Sequence, residues 1–444
     1  MNVTAETPPR VAIVSLGCAK NLVDSEHIAS LLEKAGVEVV TDPTDAPVVI
    51  VNSCGFIDIA KEESIDSVLE IADLKTEGNL RRLILTGCLS ERYGQELRES
   101  LPEADVMLGI DPHGAARAAL WALGMKCPLP SQCNMRAVRF TPPWWSYLRI
   151  SEGCDNCCSY CAIPNIRGPL VSRPHEDILA EARQLVNEGA RELNLIAQDT
   201  TAYQHDHGQQ GLHKLLDDLC HLENQPWIRL LYTHPAHYYT ELIDVLAEQE
   251  AICPYLDIPL QHVSDPILKR MERGVTKARI ADLISTLRDR IPDLTLRTTF
   301  MVGFPGETEE QFQEILDFAE EIEFERIGGF KYSREEDTPA STFDAPVPED
   351  VKESRYERLM ELQQTIMRHK ARERVGETTE VLIEGYREDI PVGRSAAEAP
   401  DVDPLIFFDE ADSLHEGALV RAEIVDSIEY DTIASVREVI RDGE

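Results

Sequence analysis

Short apolar runs alternate with stretches of helical period from residue 9 onward. RVAIVSLGC (10–18), APVVIVNSC (46–54) and RRLILTGC (81–88) are aliphatic, β-branched runs of strand length. DSEHIASLLEKAG (24–36) and SIDSVLEIADL (64–74) carry the helical period between them, with Asp24 or Ser25 placed as a cap and Gly36 as a stop. Strands separated by helices predict a parallel sheet covered on both faces over residues 9–125.

A Pro-rich, polar linker, CPLPSQCNMRAVRFTPP (127–143), breaks the pattern. The alternation then resumes. Strands are expected at YLRIS (147–151), RELNLIAQ (191–198), IRLLYTH (228–234), YLDIPLQ (255–261), LTLRTTFMVGF (294–304) and RIGGFKYS (326–333), with helices such as HEDILAEARQLVNEG (175–189) between them. Six such units in series predict a partial (β/α)6 barrel over 140–371, with its site in the loops after the strands. Over 374–441 the runs shorten and alternate: TTEVLIEGY (378–386), VGRSAAEAP (392–400), ALVRAEIVDSIEYD (418–431) and TIASVREVI (432–440) predict a small antiparallel β-barrel.

A chain of 444 residues accommodates two to four domains at roughly 150 residues each. Its formal charge of −37 excludes nucleic-acid binding by bulk charge and favours basic partners. The basic residues are 32 Arg and 11 Lys, a Lys-poor balance that suits a protein kept soluble in a salty cytoplasm. The last 68 residues carry 19 acidic and 5 basic side chains, a net of −14. No run reaches 18 apolar residues and the start lacks a charged-then-apolar leader, so a cytoplasmic location is expected and no membrane span. Eleven cysteines in a reducing compartment argue against a disulfide framework and for ligation of a metal or cluster.

Two groups of cysteines carry that chemistry. Cys18, Cys54 and Cys88 each fall just past the carboxyl end of one N-terminal strand, the edge where open parallel sheets bind ligands. A single cysteine there would read as a small buried apolar residue; three in equivalent places favour ligation. The second group lies in SEGCDNCCSYCAIP (151–164), directly after the first barrel strand. Cys154, Cys158 and Cys161 are spaced C-x3-C-x2-C, and three thiolates on one loop suit three corners of an iron–sulfur cube. Zinc is the physical alternative, and Cys157 permits a competing C-x2-C-x3-C set. Spacing alone does not decide between them.

C-x3-C-x2-C at the first strand of a partial barrel resembles the radical S-adenosylmethionine (SAM) enzymes. By that resemblance Cys154, Cys158 and Cys161 ligate a 4Fe–4S cluster whose open iron chelates SAM, and Cys157 is a spectator. SLGCAKNLVDSE (15–26), VNSCGFID (51–58), TGC (86–88), RELNLIAQDT (191–200), LDIPLQH (256–262) and GFPGETEE (303–310) together resemble the methylthiotransferases over about 9–441. So does the order of a cluster domain (9–125), a radical SAM barrel (140–371) and a TRAM-type β-barrel (374–441). The resemblance implies a second 4Fe–4S cluster on Cys18, Cys54 and Cys88 that carries the sulfur to be inserted.

LGCAKNLVDSE looks like the branch that modifies an aspartate of the twelfth protein of the small ribosomal subunit. The transfer-RNA branch usually carries a Gln–Met–Asn type sequence at that point. The implied reaction uses one SAM as methyl donor and a second as radical source, attaching a methylthio group to the aspartate β-carbon; the cofactors supply the reactivity for such a C–H bond. The implied partners are a basic ribosomal protein, free or in the subunit, and an electron donor such as flavodoxin or ferredoxin. A terminal module of net −14 repels RNA phosphate and attracts a basic protein. Methylthiolation of a transfer-RNA adenosine is the second reading, and a zinc-bearing ribosome-binding protein the third.

Further positions are candidates for contact with SAM or substrate. Gln198 and Asp199 end the second barrel strand, Gln261 and His262 the fourth, and Gly303 and Gly306 belong to the GFPGE turn, near the adenosine of SAM in the radical SAM reading. Arg297, in a β-branched strand, meets either a carboxylate ligand or a structural carboxylate. No side chain is assigned a catalytic role of its own. His205, His207 and His213 resemble a metal cluster in composition, yet HDHGQQG reads as a solvated loop. Cys127, Cys133, Cys220 and Cys253 read as incidental or packing residues, and Trp144 and Trp145 as anchors of the barrel entry.

Overall fold

A computed structural model describes residues 8–126, 128–129, 136–205, 208–409 and 414–443. Cys127, Cys133 and His207 lie outside these residues, as does the side chain of His205.

The N-terminal sheet is five-stranded and parallel: β1 (Arg10–Ser15), β2 (Glu38–Val40), β3 (Val48–Ser53), β4 (Arg82–Gly87) and β5 (Val106–Met107), in the order β2-β1-β3-β4-β5. The three expected strands form its centre. The edge strands β2 and β5, three and two residues long, are too short to leave a periodic signal. Helices α1 (Ala19–Lys34), α2 (Asp58–Glu77), α3 (Cys88–Ser100) and α4 (Pro112–Ala122) cover it. α1 begins five residues before the expected cap. Asp24 and Ser25 are buried inside it, drawn into tertiary bonds with Arg149 (2.5 Å) and Ser15 (2.9 Å).

Six strands form the second sheet: β6 (Trp145–Arg149), β7 (Glu192–Ile196), β8 (Trp227–Leu230), β9 (Ile252–Asp257), β10 (Thr295–Val302) and β11 (Arg326–Lys331). They pair in sequence order and in parallel, as a (β/α)6 partial barrel requires. The main apolar core lies between this sheet and its outer helices. Cys220 is buried at the end of helix Leu212–Cys220, and Cys253 is buried within β9 rather than at a turn. His213 sits in the first turn of that helix, bonded to Tyr239 Oη (3.0 Å).

The C-terminal strands β12 (Thr378–Arg387), β13 (Ile390–Ser395), β14 (Ile406–Phe408), β15 (Leu419–Ile428) and β16 (Asp431–Arg441) close into a barrel. It is not wholly antiparallel: the short β14, not foreseen from the pattern, pairs in parallel with β16 and completes the closure.

This barrel docks on the amino ends of the six-stranded sheet. Arg394 bonds Glu192, the first residue of β7 (2.6 Å), and Trp145 Nε1 donates to Glu384 (3.1 Å). Trp144 and Trp145 pack there with Leu382 and Ala399. The N-terminal sheet is tied on differently. Fully buried Arg136 joins Glu26 of α1 to Glu181 of helix His175–Asn187. Among the described residues no helix is long and apolar enough to cross a membrane.

Candidate active site between two cysteine trios

Cys18, Cys54 and Cys88 follow β1, β3 and β4, three adjacent strands, so the parallel register brings them to one edge. Cys18 caps α1 and Cys88 opens α3. The glycine before each is required. A Cβ on Gly17 (φ +90°) would stand 2.7 Å from Cys54 Cβ, and one on Gly87 (φ +99°) 2.4 Å from Asn52 Oδ1. Asn21 knits the edge: its Nδ2 donates to the carbonyls of Leu16 (2.9 Å) and Ser53 (3.0 Å), and its Oδ1 faces Cys88 Sγ (3.4 Å). All three thiols are free. Burial pushes the Cys54 thiol up and that of Cys88 up to about 12, with Arg167 opposing both. A bound cation replaces the proton of such a thiol.

The second trio lies on the loop after β6. Cys154 N–H donates to Gly168 O and Cys161 N–H to Cys158 O, both 3.1 Å. Ser159 fixes the loop against the turn after helix Asp265–Arg270 through Met271 O (3.1 Å) and Arg270 O (2.8 Å). Arg273 Nη1 lies 3.5 Å from Cys158 Sγ. Burial pushes Cys154 up and Cys161 up to about 12. Cys157 differs: its side chain is exposed and its thiol faces Asp155 O (3.7 Å).

Tetrahedral zinc with Zn–S of about 2.3 Å draws thiolates to about 3.8 Å of one another. Among the described residues, the only three His, Cys, Asp or Glu donors within 4.8 Å of one another are Asp199, His234 and His237. Neither cysteine trio is drawn that close, and three thiols apiece suit three corners of an iron–sulfur cube.

The first trio meets the second through Cys88, which lies against α5 (Ile163–Arg167), a helix that starts two residues after Cys161. Ala162 and Ile166 pack on Cys88. Arg167 Nη2 reaches Asn21 Oδ1 (2.6 Å), Asp24 (3.0 Å) and Cys88 Sγ (3.5 Å), while Nη1 meets both oxygens of Glu152 (3.0 Å each).

The other sequence candidates divide. Gln198 Nε2 donates to Glu152 (2.7 Å) beside the gap. Asp199 is buried and bonded to Asn156 of the cysteine loop (2.8 Å), Thr201 (2.6 Å) and His237 Nδ1 (2.7 Å). Burial by itself would raise its carboxyl; His237 and Thr201 outweigh it and hold the carboxyl low. Gln261, in the left-handed region at φ +70°, bridges β10 through its backbone.

Four candidates have partners within the protein. His262 is fully buried; its Nδ1 accepts from Val263 and Ser264 N–H (2.9 Å each) and its Nε2 faces Glu307 (3.4 Å). Arg297 has a partner of its own in Asp257 (2.9 Å), the residue beside it in the sheet. The Gly303 N–H is taken by the Glu307 carboxylate (3.0 and 3.1 Å), itself held by Arg355 (2.6 Å). Gly306 N–H donates to Ala345 O (2.8 Å). Arg167, Arg273, Asn156, His237 and Lys20 escaped the sequence reading; only Lys20, two residues past Cys18, and Asn156, two past Cys154, stood inside quoted motifs.

Comparison with known proteins places this geometry. Residues 148–319 match the Radical SAM superfamily, residues 10–109 the model described as Uncharacterized protein family UPF0004, and residues 375–436 the TRAM domain. Among solved structures, the radical SAM methyltransferase TsrM from Kitasatospora setae aligns with a TM-score of 0.55 at 18% identity, over 75% of this chain and 77% of its own, a likeness of fold. The relative from Syntrophotalea carbinolica, named ribosomal protein uS12 methylthiotransferase RimO, is 45% identical over 441 residues, 96% of each chain. That of Geobacter sulfurreducens, with the same name, is 44% identical over 443 residues, 96% of this chain and 98% of its own. With full-length relatives at this identity and the Radical SAM match over the cysteine loop, the chain belongs to the ribosomal protein uS12 methylthiotransferase family of radical SAM proteins.

Proposed function

We propose that this protein attaches a methylthio group to the β-carbon of an aspartate in ribosomal protein uS12, and that Cys154, Cys158 and Cys161 hold the SAM-binding 4Fe–4S cluster and Cys18, Cys54 and Cys88 the second. The observation that carries the reading is the packing of Cys88, at the strand-end cysteine edge, on the helix that follows the C-x3-C-x2-C loop, in a chain related to uS12 methylthiotransferases over 96% of its length. When bound, one cluster with SAM supplies a radical strong enough to take hydrogen from carbon, and the other supplies the sulfur.

The residues of the chain do the rest. Asn21, Ser159 and Arg273 orient the cysteine loops. Arg167, Arg149, Asp24 and Glu152 form a buried ion network that fixes the N-terminal sheet on the barrel mouth and keeps water from the gap. Gln198 and Asp199 line the side of the gap nearest the cysteine loop. The acidic C-terminal barrel docks at the opposite, amino ends of the strands, with Asp401 and Asp403 reaching Tyr147 and Tyr255. We infer that it grips a basic part of uS12 remote from the target aspartate, and that a cytoplasmic flavodoxin or ferredoxin delivers the electron.

The test is a competition. The reconstituted enzyme, with SAM, sulfide and a reductant, is offered uS12 and unmodified transfer RNA together under anaerobic conditions. Mass spectrometry is expected to show a gain of methylthio on an aspartate of uS12. Gain on the RNA would overturn the substrate assignment and leave the two-cluster chemistry standing.

A further inference from the structure

Lys20 lies in the first turn of α1, two residues past Cys18, and is only 9% exposed. Its ammonium stands 3.4 Å from the centroid of the Tyr232 ring and makes no hydrogen bond or ion pair with any described residue. Every other cation around the gap is answered. Arg149 has Asp24 and Glu152; Arg167 has Asp24, Glu152 and Asn21; Arg297 has Asp257; Arg273 has the Pro259 carbonyl. Glu152 contributes to the field at Lys20, but its oxygens are engaged by Arg149, Arg167 and Gln198.

The ring that seats the ammonium is itself held in place. Tyr232 adopts φ +57° just past the carboxyl end of β8, an uncommon conformation for an aromatic residue. Its N–H donates to Asp257 (3.1 Å) and its carbonyl accepts from Thr200 N–H (3.0 Å). A ring face is a weak substitute for an anion, and an ammonium withdrawn from water without one is costly. The arrangement is that of a binding site whose counter-charge arrives with the ligand.

Its position selects the ligand. Lys20 projects from the turn that Cys18 caps onto a ring just past the carboxyl end of β8, the end of the strands where a barrel of this kind holds its substrate. In the reading above, that carbon is the β-carbon of an aspartate, bonded directly to the side-chain carboxylate. We propose that Lys20 binds the carboxylate of the target aspartate and so holds its β-carbon between the two trios. This inference rests on the proposed function. The other carboxylate that enters the site belongs to SAM.

The test measures binding to the cluster-loaded enzyme. Fluorescence anisotropy compares a labelled uS12 peptide spanning the target aspartate with the same peptide carrying Asn. The wild type is expected to prefer the Asp peptide at least ten-fold. Lys20→Met is expected to bind both peptides with the affinity of the Asn peptide, and Lys20→Arg to recover most of the preference. Iron and sulfide content is assayed on each variant. Tyr232→Leu, which unseats the ammonium without touching the cysteine motif, is the second variant and is expected to lower the preference several-fold.

SAM affinity is expected to match in the wild type and Lys20→Met. Retained preference for Asp in both Lys20→Met and Tyr232→Leu overturns the inference. So does a loss of SAM affinity with the peptide preference intact, which assigns the ammonium to the cosubstrate. If the wild type binds neither peptide nor intact uS12, the uS12 reading itself fails; if it binds both peptides equally, only the role of Lys20 does.

Discussion

Arg167 Nη2 lies 3.5 Å from Cys88 Sγ, although Cys88 opens a helix of the N-terminal sheet's layer and Arg167 ends the helix that begins beside Cys161. Its guanidinium also answers Asp24 and Glu152, so one side chain fixes the separation of the two thiol trios. Charge and position are therefore inseparable here.

Replacing Arg167 with Met leaves the buried Asp24 short of one partner and Glu152 short of another. Breaking a buried pair from one side costs about 3–5 kcal/mol; because Glu152 is 31% exposed, the lower end applies. Urea denaturation is expected to show a loss of about 3 kcal/mol for Arg167→Met. Arg167→Lys is expected to recover less than half, since one ammonium cannot span both carboxylates.

The two trios are expected to fail differently. Ser at Cys154, Cys158 or Cys161 abolishes SAM cleavage, read as release of 5′-deoxyadenosine. Ser at Cys18, Cys54 or Cys88 spares cleavage and stops methylthio transfer, read by mass spectrometry. Ser at Cys157, whose thiol faces away from both groups, leaves both reactions intact. Loss of iron in Cys157→Ser would reverse that choice of ligands.

Gly17→Ala places a methyl 2.7 Å from Cys54 Cβ, on a backbone at φ +90°. The strain alone is of order 1–3 kcal/mol, and the contact displaces a thiol of the N-terminal trio. The variant is expected to retain about half the iron of the wild type, because the loop after β6 is untouched. A full complement of iron would contradict the proposed role of Cys54.

Acid is expected to act first at the seams. Burial would raise the carboxyls of Glu181 and Glu398, but Arg136 and Arg173 hold the first at about 2, and Arg374 and Arg326 the second. Both folded values lie below the ordinary 4.5, so the unfolded chain binds the extra protons. The stabilisation is complete above that value and lost as pH falls from 4.5 towards 2. Each contributes about 3 kcal/mol. Glu398→Gln is expected to remove its share of this pH dependence, measured as denaturation midpoints at pH 5 and pH 3. An unchanged slope would show that Glu398 is not titrating there.

The sequence by itself determined the alternation of strands and helices, the order of the three sheets and the places of the six strand-end cysteines. These rest on local period and on short spacings, which survive in one dimension. It also carried the resemblance, because Cys18, Cys54, Cys88 and the C-x3-C-x2-C loop lie in contiguous motifs. The tertiary structure decided the rest. Asp24 became an ion-pair partner instead of a cap because Arg149, far along the chain, reaches it. His262 and Gly303 were joined through Glu307, which faces the one and accepts from the other. The edge strands β2 and β5 are stabilised by neighbours rather than by their own pattern. Above all, the linkage of Arg167 to Cys88 and the lone ammonium of Lys20 against Tyr232 exist only where two sheets meet. Such contacts join residues with no fixed spacing, so no periodicity announces them.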